Sequence, residues 1–455
     1  MAAATGYKVN SGGTYVDLNT LFEPGSGGPA SGYKIAGTTD LNAVFAPYVS
    51  GPQAIQTNYK NASGNDLNIV FSKLKKWSFI GSSNFGFNDI VRAFIVDSLG
   101  NIYVGGDFTA LNGGTPGTFN YIAKMAFNST TWTTVGSGAG GFNNRVYALA
   151  IDSNNNLYAG GQFSAIFGGT VNTLNRVARS VGGSGNWATI GTGTGLNGNV
   201  YALAIDSNNK LYAGDQFTAI FGGGANTLTR VASSVGGTSN WATIGSSSGL
   251  DNIVFALAVD SNNNLYAGGR FTAIFGGTIN TLNCVARSAG GTGNWSTIGS
   301  SSGLNNDVLA LTVDSAGNLY AGGQFTAIFG GTANTLNRIA RSAGGTGNWS
   351  TIGSSSGGGF DGTVNAVVTD SNNNLYAGGS FTAIFGGTIN TLNRVAKSVG
   401  GTGNWTTMSP GSGSGFDNIV YTLEIDTLGN LYAGGSFTAI YGGTANTLNS
   451  VAKYA

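Results

Sequence analysis

The chain has no histidine, one cysteine (Cys284), six prolines in 455 residues and only 9% charged side chains. Each shortage closes a class of function. Without histidine the commonest general base and the commonest metal ligand are missing, and a lone cysteine cannot build an intramolecular disulfide framework. Twenty Lys and Arg against 19 Asp and Glu leave a net charge of +1, so no field exists to draw in nucleic acid or an anionic membrane. Apolar runs such as 146–151 are short, far below the roughly 20 residues that cross a bilayer as a helix. The first eight residues, Met1 to Lys8, hold neither a basic nor an apolar stretch, so no secretory signal is expected from them. These absences argue against an enzyme, and no catalytic residue, metal ligand or cofactor is assigned.

What the chain has in quantity is glycine, 78 residues, beside 41% hydrophobic and 11% aromatic content, enough for a core. Its seven tryptophans, Trp77, Trp132, Trp187, Trp241, Trp295, Trp349 and Trp405, are separated by 55, 55, 54, 54, 54 and 56 residues. Such a period marks a repeat architecture, in which one unit cannot bury its apolar face until neighbours stack on it. Length alone would allow about three domains, but the repeat merges residues 77–455 into one body. The unit that starts at Val146 reads as four strands: Val146 to Ile151, Leu157 to Ala159, Arg176 to Ser180 and Trp187 to Ile190. Asn-rich and Gly-Gly turns join them, without helical periodicity. The unit recurs from Val200, Val254, Val308, Val364 and, more diverged, Val91.

Radially repeated four-stranded meanders are propeller blades, whereas an open stack would leave apolar end faces that need caps. The last copy, from Val420, stops at Ala455 without its tryptophan strand, and residues 77–89 match that missing piece. The expected fold is all-β: a seven-bladed β-propeller of four-stranded antiparallel blades over 77–455. An N-terminal outer strand closes the ring onto three C-terminal ones (1+3 closure) and hides the edges.

Residues 1–76 form a separate N-terminal extended repeat arm with four of the six prolines, Pro24, Pro29, Pro47 and Pro52. Three copies of a short motif occur: Tyr7-Lys8 with Asp17-Leu18-Asn19 and Phe22, Tyr33-Lys34 with Asp40-Leu41-Asn42 and Phe45, and Tyr59-Lys60 with Asp66-Leu67-Asn68 and Phe71. Each is too short to bury much surface alone, so residues 1–73 are expected to need a partner surface.

The blade pattern D-x-x-x-N-L-Y-A-G-G-x-F, followed by G-G-T, N-x-V-A and W-x-T-I-G, resembles the delta-60-type and kelch-like propeller repeats of large surface proteins. That likeness speaks for a fold and not for an activity, because propellers host enzymes, lectins and scaffolds alike. The Y-K…D-L-N-x-x-F units of the arm are similar to short repeats in structural proteins of large DNA viruses and phages. This second resemblance implies a virion component.

Several constellations invite a site. Asp152 to Asn156 puts oxygen side chains at positions 1, 3 and 5, the opening of a calcium loop. In other copies the Asn154 position is Leu99, Ala316 or Leu428, and Leu157 stands where the loop needs glycine. The Asn155 position alternates with Gly100, Gly317 and Gly429, as a positive-φ turn demands. Seven aspartates recur, Asp97, Asp152, Asp206, Asp260, Asp314, Asp370 and Asp426. Glycosidase carboxylates need two different environments, whereas these share one and read as Asx-type caps. Glu424 replaces an Ala150-type residue and is a candidate to face the channel.

Arg176, Arg230, Arg338 and Arg394 recur at one position of the third strand, interrupted by Tyr121, Cys284 and Ser450. Lys124, Arg179, Arg287, Arg341, Lys397 and Lys453 recur three residues later, on the opposite strand face. The four arginines of the first set, with Tyr121, are the candidate interaction residues, for acidic glycans or a neighbouring subunit. Plain solvation or pairing with the aspartates is the bland alternative. Cys284 reads as a tolerated substitution and the Gly-Gly pairs lack the context of a phosphate loop. Three of the five N-x-S/T sequons, at Asn294, Asn348 and Asn404, directly precede a tryptophan, where a glycan would compete with packing. The seven tryptophans are assigned to blade cores.

The function expected from these features is non-enzymatic. The chain reads as a structural or binding protein of a virion, its arm anchored to other structural proteins through residues 1–73 and its propeller a protein- or glycan-interaction platform. No nucleic-acid partner and no membrane span are expected. The alternative is a multivalent lectin-like propeller, extracellular or on a cell surface, with a sugar pocket in each blade walled by residues such as Tyr158 or Phe163.

Overall fold

The computed structural model describes residues 76–81, 86–136, 141–246, 249–353, 358–408 and 415–455, with the backbone of five short strands nearer the N-terminus. The chain divides into two compact units, Met1–Lys75 and Lys76–Ala455. In the first, Lys8–Ser11 pairs with Thr14–Asp17, and Phe22–Pro24, Tyr33–Ile35 and Thr39–Asp40 form an antiparallel sheet. The third copy of the short motif, Tyr59 to Phe71, lies outside the described residues.

The second unit is a seven-bladed propeller. Blade 2 shows the pattern: Val146–Ile151, Leu157–Gly161, Val177–Ser180 and Trp187–Ala188 pair in sequence order, all antiparallel. The first strands neighbour one another around the whole ring, Val420–Ile425 of blade 7 beside Val91–Val96 of blade 1. Second strands such as Leu157-Tyr-Ala-Gly-Gly161 are buried at every residue, because a blade packs on both faces. That explains their small residues. A Cβ on Gly160 would lie 2.6 Å from Val200 Cγ1 of the next blade, so only glycine permits the approach.

Three boundaries differ from the sequence reading. The second strand runs on to Gly161, the fourth is two residues long, and the third starts at Val177, leaving Arg176 outside it. In blade 3 the fourth strand shrinks to one bridge, Ser233 with Ala242. Such short outer strands leave little edge for another chain to pair with.

The ring closes through the N-terminal strand. Trp77 and Ser78 pair with Tyr454 and Lys453, and the Trp77 ring lies 4.6 Å from that of Phe416. The inter-blade bond from Leu196 N–H to Asn175 O, 3.0 Å, has its counterpart at the seam in Phe87 N–H to Asn449 O, 2.9 Å. Six tryptophans are buried, and Trp187 is half-buried against Phe142, 4.6 Å away.

The recurring aspartates organise the hairpins at the opposite end of the first strands. Asp152 accepts the N–H groups of Asn154 and Asn156 at 2.9 and 2.8 Å, the Asn156 amide at 2.7 Å and the Tyr158 hydroxyl at 3.0 Å. One carboxylate thus satisfies the turn and the buried phenol together, and no oxygen remains for a metal. Asn155 and Gly100 occupy the same left-handed position, φ +58° and +81°. Where it is asparagine it also ties blades, as Asn155 Oδ1 accepts the Ser98 hydroxyl at 2.9 Å.

A one-turn Gly-Gly segment of each of blades 2 to 6 covers the tyrosine of the blade before it. Gly237, at φ +61°, would place a Cβ 2.1 Å from the Tyr158 hydroxyl. Gly237→Ala is therefore expected to destabilise by about 2–4 kcal/mol, combining left-handed strain with overpacking. Thermal unfolding checks this, and an unchanged midpoint would show that the tyrosine is not held by that turn.

Candidate functional site

The blades are near copies, so positions that differ between them are informative. The residue after the leading valine is Arg92, Tyr147, Tyr201, Phe255, Leu309, Asn365 and Tyr421 in blades 1 to 7. The residue before that valine, the residue after the second strand and the Arg176 position vary as well. Antiparallel pairing brings all four to one end of the ring, because Val146 lies opposite Gly161 and Gly161 N–H donates to Arg176 O at 2.9 Å. The seven residues after the valines line the mouth of the channel, one per blade, around a cavity of about 390 Å³.

The mouth is polar on one side and aromatic beside it. Arg92 forks onto Asp107 with two bonds of 2.7 Å, and Arg145 approaches the same carboxylate at 3.5 Å. The Arg92 guanidinium sits between two rings, 5.7 Å from Tyr147 and 5.3 Å from Tyr421. Burial would depress the Arg92 pKa, but the bonds and charge of Asp107, aided by Tyr421 and Tyr147, raise it. Tyr147 and Tyr201 are 4.7 Å apart and Tyr201 and Phe255 6.0 Å apart. The Tyr147 hydroxyl donates to Gln162 Oε1 at 3.1 Å. Across blades 4 and 5, Arg270 binds Asp307 at 2.6 Å.

The candidate interaction residues lie on this face, outside the ring. Arg176, Arg230, Arg338 and Arg394 all have positive φ, 68°, 66°, 72° and 71°, as do Tyr121, Cys284 and Ser450 at 67°, 63° and 71°. The cause is shared. Each residue turns the chain into the third strand by donating its N–H back across the loop, Arg176 to Phe163 O at 2.8 Å. The guanidiniums then fold down: Arg230 Nη1 donates to Gln216 O at 2.6 Å, and Arg176, Arg338 and Arg394 donate to Gln162 O, Gln324 O and Ser380 O. Tyr121 is half-buried against the core of blade 2. The second basic set serves packing, since Lys124 and Lys397 stand 5.1 and 5.3 Å from the rings of Tyr103 and Tyr376.

The structure also places the other residues that the sequence singled out. Glu424, the candidate to face the channel, sits in the first strand of blade 7, Val420–Ile425. It lies two residues from Thr422, which meets Gly434 on the sheet face turned to Val91 of blade 1, and burial pushes its carboxyl up to about 8. Tyr158 and Phe163 are 0% exposed and cannot wall a sugar pocket in each blade. Cys284 is buried, and burial pushes its thiol up to about 12, so it is not a reactive thiolate at neutral pH.

Sequence reasoning passed over the mouth residues, Arg92 with Asp107, Arg270 with Asp307, and Asp215. Asp215 stands where blades 2 and 4 have Gly161 and Gly269, is 0% exposed, and neither carboxylate oxygen has a partner. The signal was present. A strand position that changes from copy to copy while its neighbours hold still is not serving the shared core.

A second concavity, about 380 Å³, lies at the seam between blades 7 and 1, with exposed Leu99, Phe127 and Leu428 on its walls. Blade 1 lacks the Gly-Gly turn, and Tyr432 keeps 4% exposure where Tyr158, Tyr212 and Tyr266 have none. Among the described residues no group of three His, Cys, Asp or Glu side chains could hold a metal, and no helix is long and apolar enough to cross a membrane.

No protein-family model and no curated protein matches this sequence. Among solved structures, a chain of the Mitotic Checkpoint Complex is 12% identical with TM-score 0.52, covering 90% of this chain and 96% of that one. The RRP9 WD40 repeats are 13% identical with TM-score 0.51, covering 83% and 99%. The extracellular domain of a one component system from B. thetaiotaomicron is 14% identical with TM-score 0.46. This chain spans only 40% of that domain's length. At such identities the first two likenesses establish the propeller fold and nothing of activity.

Proposed function

We propose that this chain is a non-enzymatic structural or binding protein of a viral particle, attached through residues 1–73 and presenting the channel-mouth face of its propeller to a protein or glycan partner. One observation carries the binding half: four positions that differ between near-identical blades converge on the channel-mouth face. Uniform cores keep the ring closed, and divergence collected at one mouth supports recognition by an asymmetric ligand. The particle half rests on the likeness of the arm's repeats to those of viral structural proteins. Half-buried tyrosines lining the mouth also favour a lectin-like reading with a single site, in place of one pocket per blade.

The test uses particles made with full-length protein, with residues 1–73 deleted, and with Tyr147→Ala/Tyr201→Ala. Expected are loss of incorporation for the deletion, and normal incorporation with loss of partner binding for the double variant. Absence of the full-length protein from purified particles, or undiminished incorporation without residues 1–73, would rule out the anchoring role.

A further inference from the structure

We propose that the channel mouth holds a monosaccharide unit bearing a carboxylate, bound as the acidic end of a glycan. This rests on the reading of the mouth as the recognition face and goes further by naming what is recognised. Arg92 uses Nε and Nη2 on Asp107, while Nη1 makes no bond among the described residues and the side chain lines the cavity. Two guanidiniums, Arg92 and Arg145, share the one Asp107 carboxylate. The sector is therefore left with one net positive charge beside an oriented N–H donor, the arrangement that receives a carboxylate.

The remainder of the mouth suits a pyranose ring. Tyr147, Tyr201 and Phe255 form a continuous arc of aromatic surface, which can cover an apolar sugar face while the hydroxyls of Tyr201 and Tyr421 meet sugar hydroxyls. Asn365 spends its amide N–H on Val420 O at 3.4 Å, and its Oδ1, which takes no bond among the described residues, can accept a hydroxyl. A cavity of about 390 Å³ is at the small end of ligand pockets. An acidic peptide side chain would satisfy Arg92 but leave the arc uncovered, so the sugar is the better fit.

The blades themselves supply a fold-compatible control. Arg92→Tyr/Asp107→Gln writes into blade 1 the pair that blade 2 carries as Tyr147 and Gln162. Full-length protein is titrated calorimetrically with methyl glucuronide, methyl glucoside and an Asp-containing peptide. The glucuronide is expected to bind about tenfold tighter than the glucoside, with the advantage weakened by salt. The double variant should melt like the parent and lose that advantage, and Arg92→Lys should lose most of it because the fork is gone. Phe255→Leu should weaken both sugars together. Equal affinity for both sugars, an advantage that survives the double variant, or binding of the peptide alone would overturn the assignment. Failure of both sugars while Tyr147→Ala/Tyr201→Ala still abolishes the particle's partner binding would remove the sugar and leave the wider function standing.

Discussion

A chain that begins at residue 91 should unfold far below one that begins at residue 76, although the two differ by only 15 residues of a propeller of 380. Those residues carry the strand that pairs with Lys453 and Tyr454, the Trp77 ring against Phe416, and the Phe87 N–H bond to Asn449 O. Removing a buried aromatic of this size costs about 3–5 kcal/mol on its own. The truncation also bares the third strand of blade 7 as an unpaired edge and uncovers Phe416 and Phe437, both 0% exposed. In a repeat ring, stability is close to a sum of unit and interface terms, so a damaged blade 7 also weakens its contacts with blades 6 and 1. Calorimetry of the two chains, with Trp77→Ala and Trp241→Ala as single-residue references, measures the effect. Equal melting temperatures for the two truncations would mean that residues 76–90 do not close the ring.

Replacing Asp215 with glycine should stabilise the protein, by an amount that grows with pH. Burial pushes this carboxyl up to about 9, against an opposing pull from Arg230. In the unfolded chain it titrates near 3.9. Below about pH 4 it is protonated in both states and contributes nothing. Between about pH 4 and 9 the unfolded chain gives up the proton and the folded one keeps it, so stability falls by about 1.4 kcal/mol per pH unit. Glycine, the residue of blades 2 and 4, removes the titrating group and a Cβ that is unwelcome there. A Cβ on Gly161 would lie 2.1 Å from Arg145 O. The added backbone freedom of glycine costs about 1 kcal/mol, small beside the gain at pH 8. Denaturation of parent and variant at pH 5 and pH 8 tests this, and a difference that does not widen with pH would show the carboxyl to be ionised and solvated in the fold.

Both expectations trace back to features of different legibility. The tryptophan spacing was visible in the chain because each blade needs one large aromatic on its outer strand, and the missing strand of the last copy was visible because every other copy has it. The Asn155 and Gly100 alternation was legible for a local reason, a turn position with positive φ. The Arg176 set was visible as a recurrence, but its meaning was not. A strand reading places side chains by alternation, and these residues stand just before the strand in the left-handed region, where alternation does not apply.

Local chemistry repeated seven times therefore sets out the blade, its turns and the closure of the ring, since each depends on neighbours within one copy of the repeat or on a simple count of copies. The mouth depends on something else. Arg92, Tyr147, Tyr201 and Phe255 are separated by about one repeat each along the chain, and nothing local relates one to the next. They meet because closing seven first strands around an axis puts one residue from each at the same height, and Arg92 and Asp107 find each other there through the pairing of two strands. Symmetry of the backbone brings these side chains together, and their lack of symmetry makes the face specific.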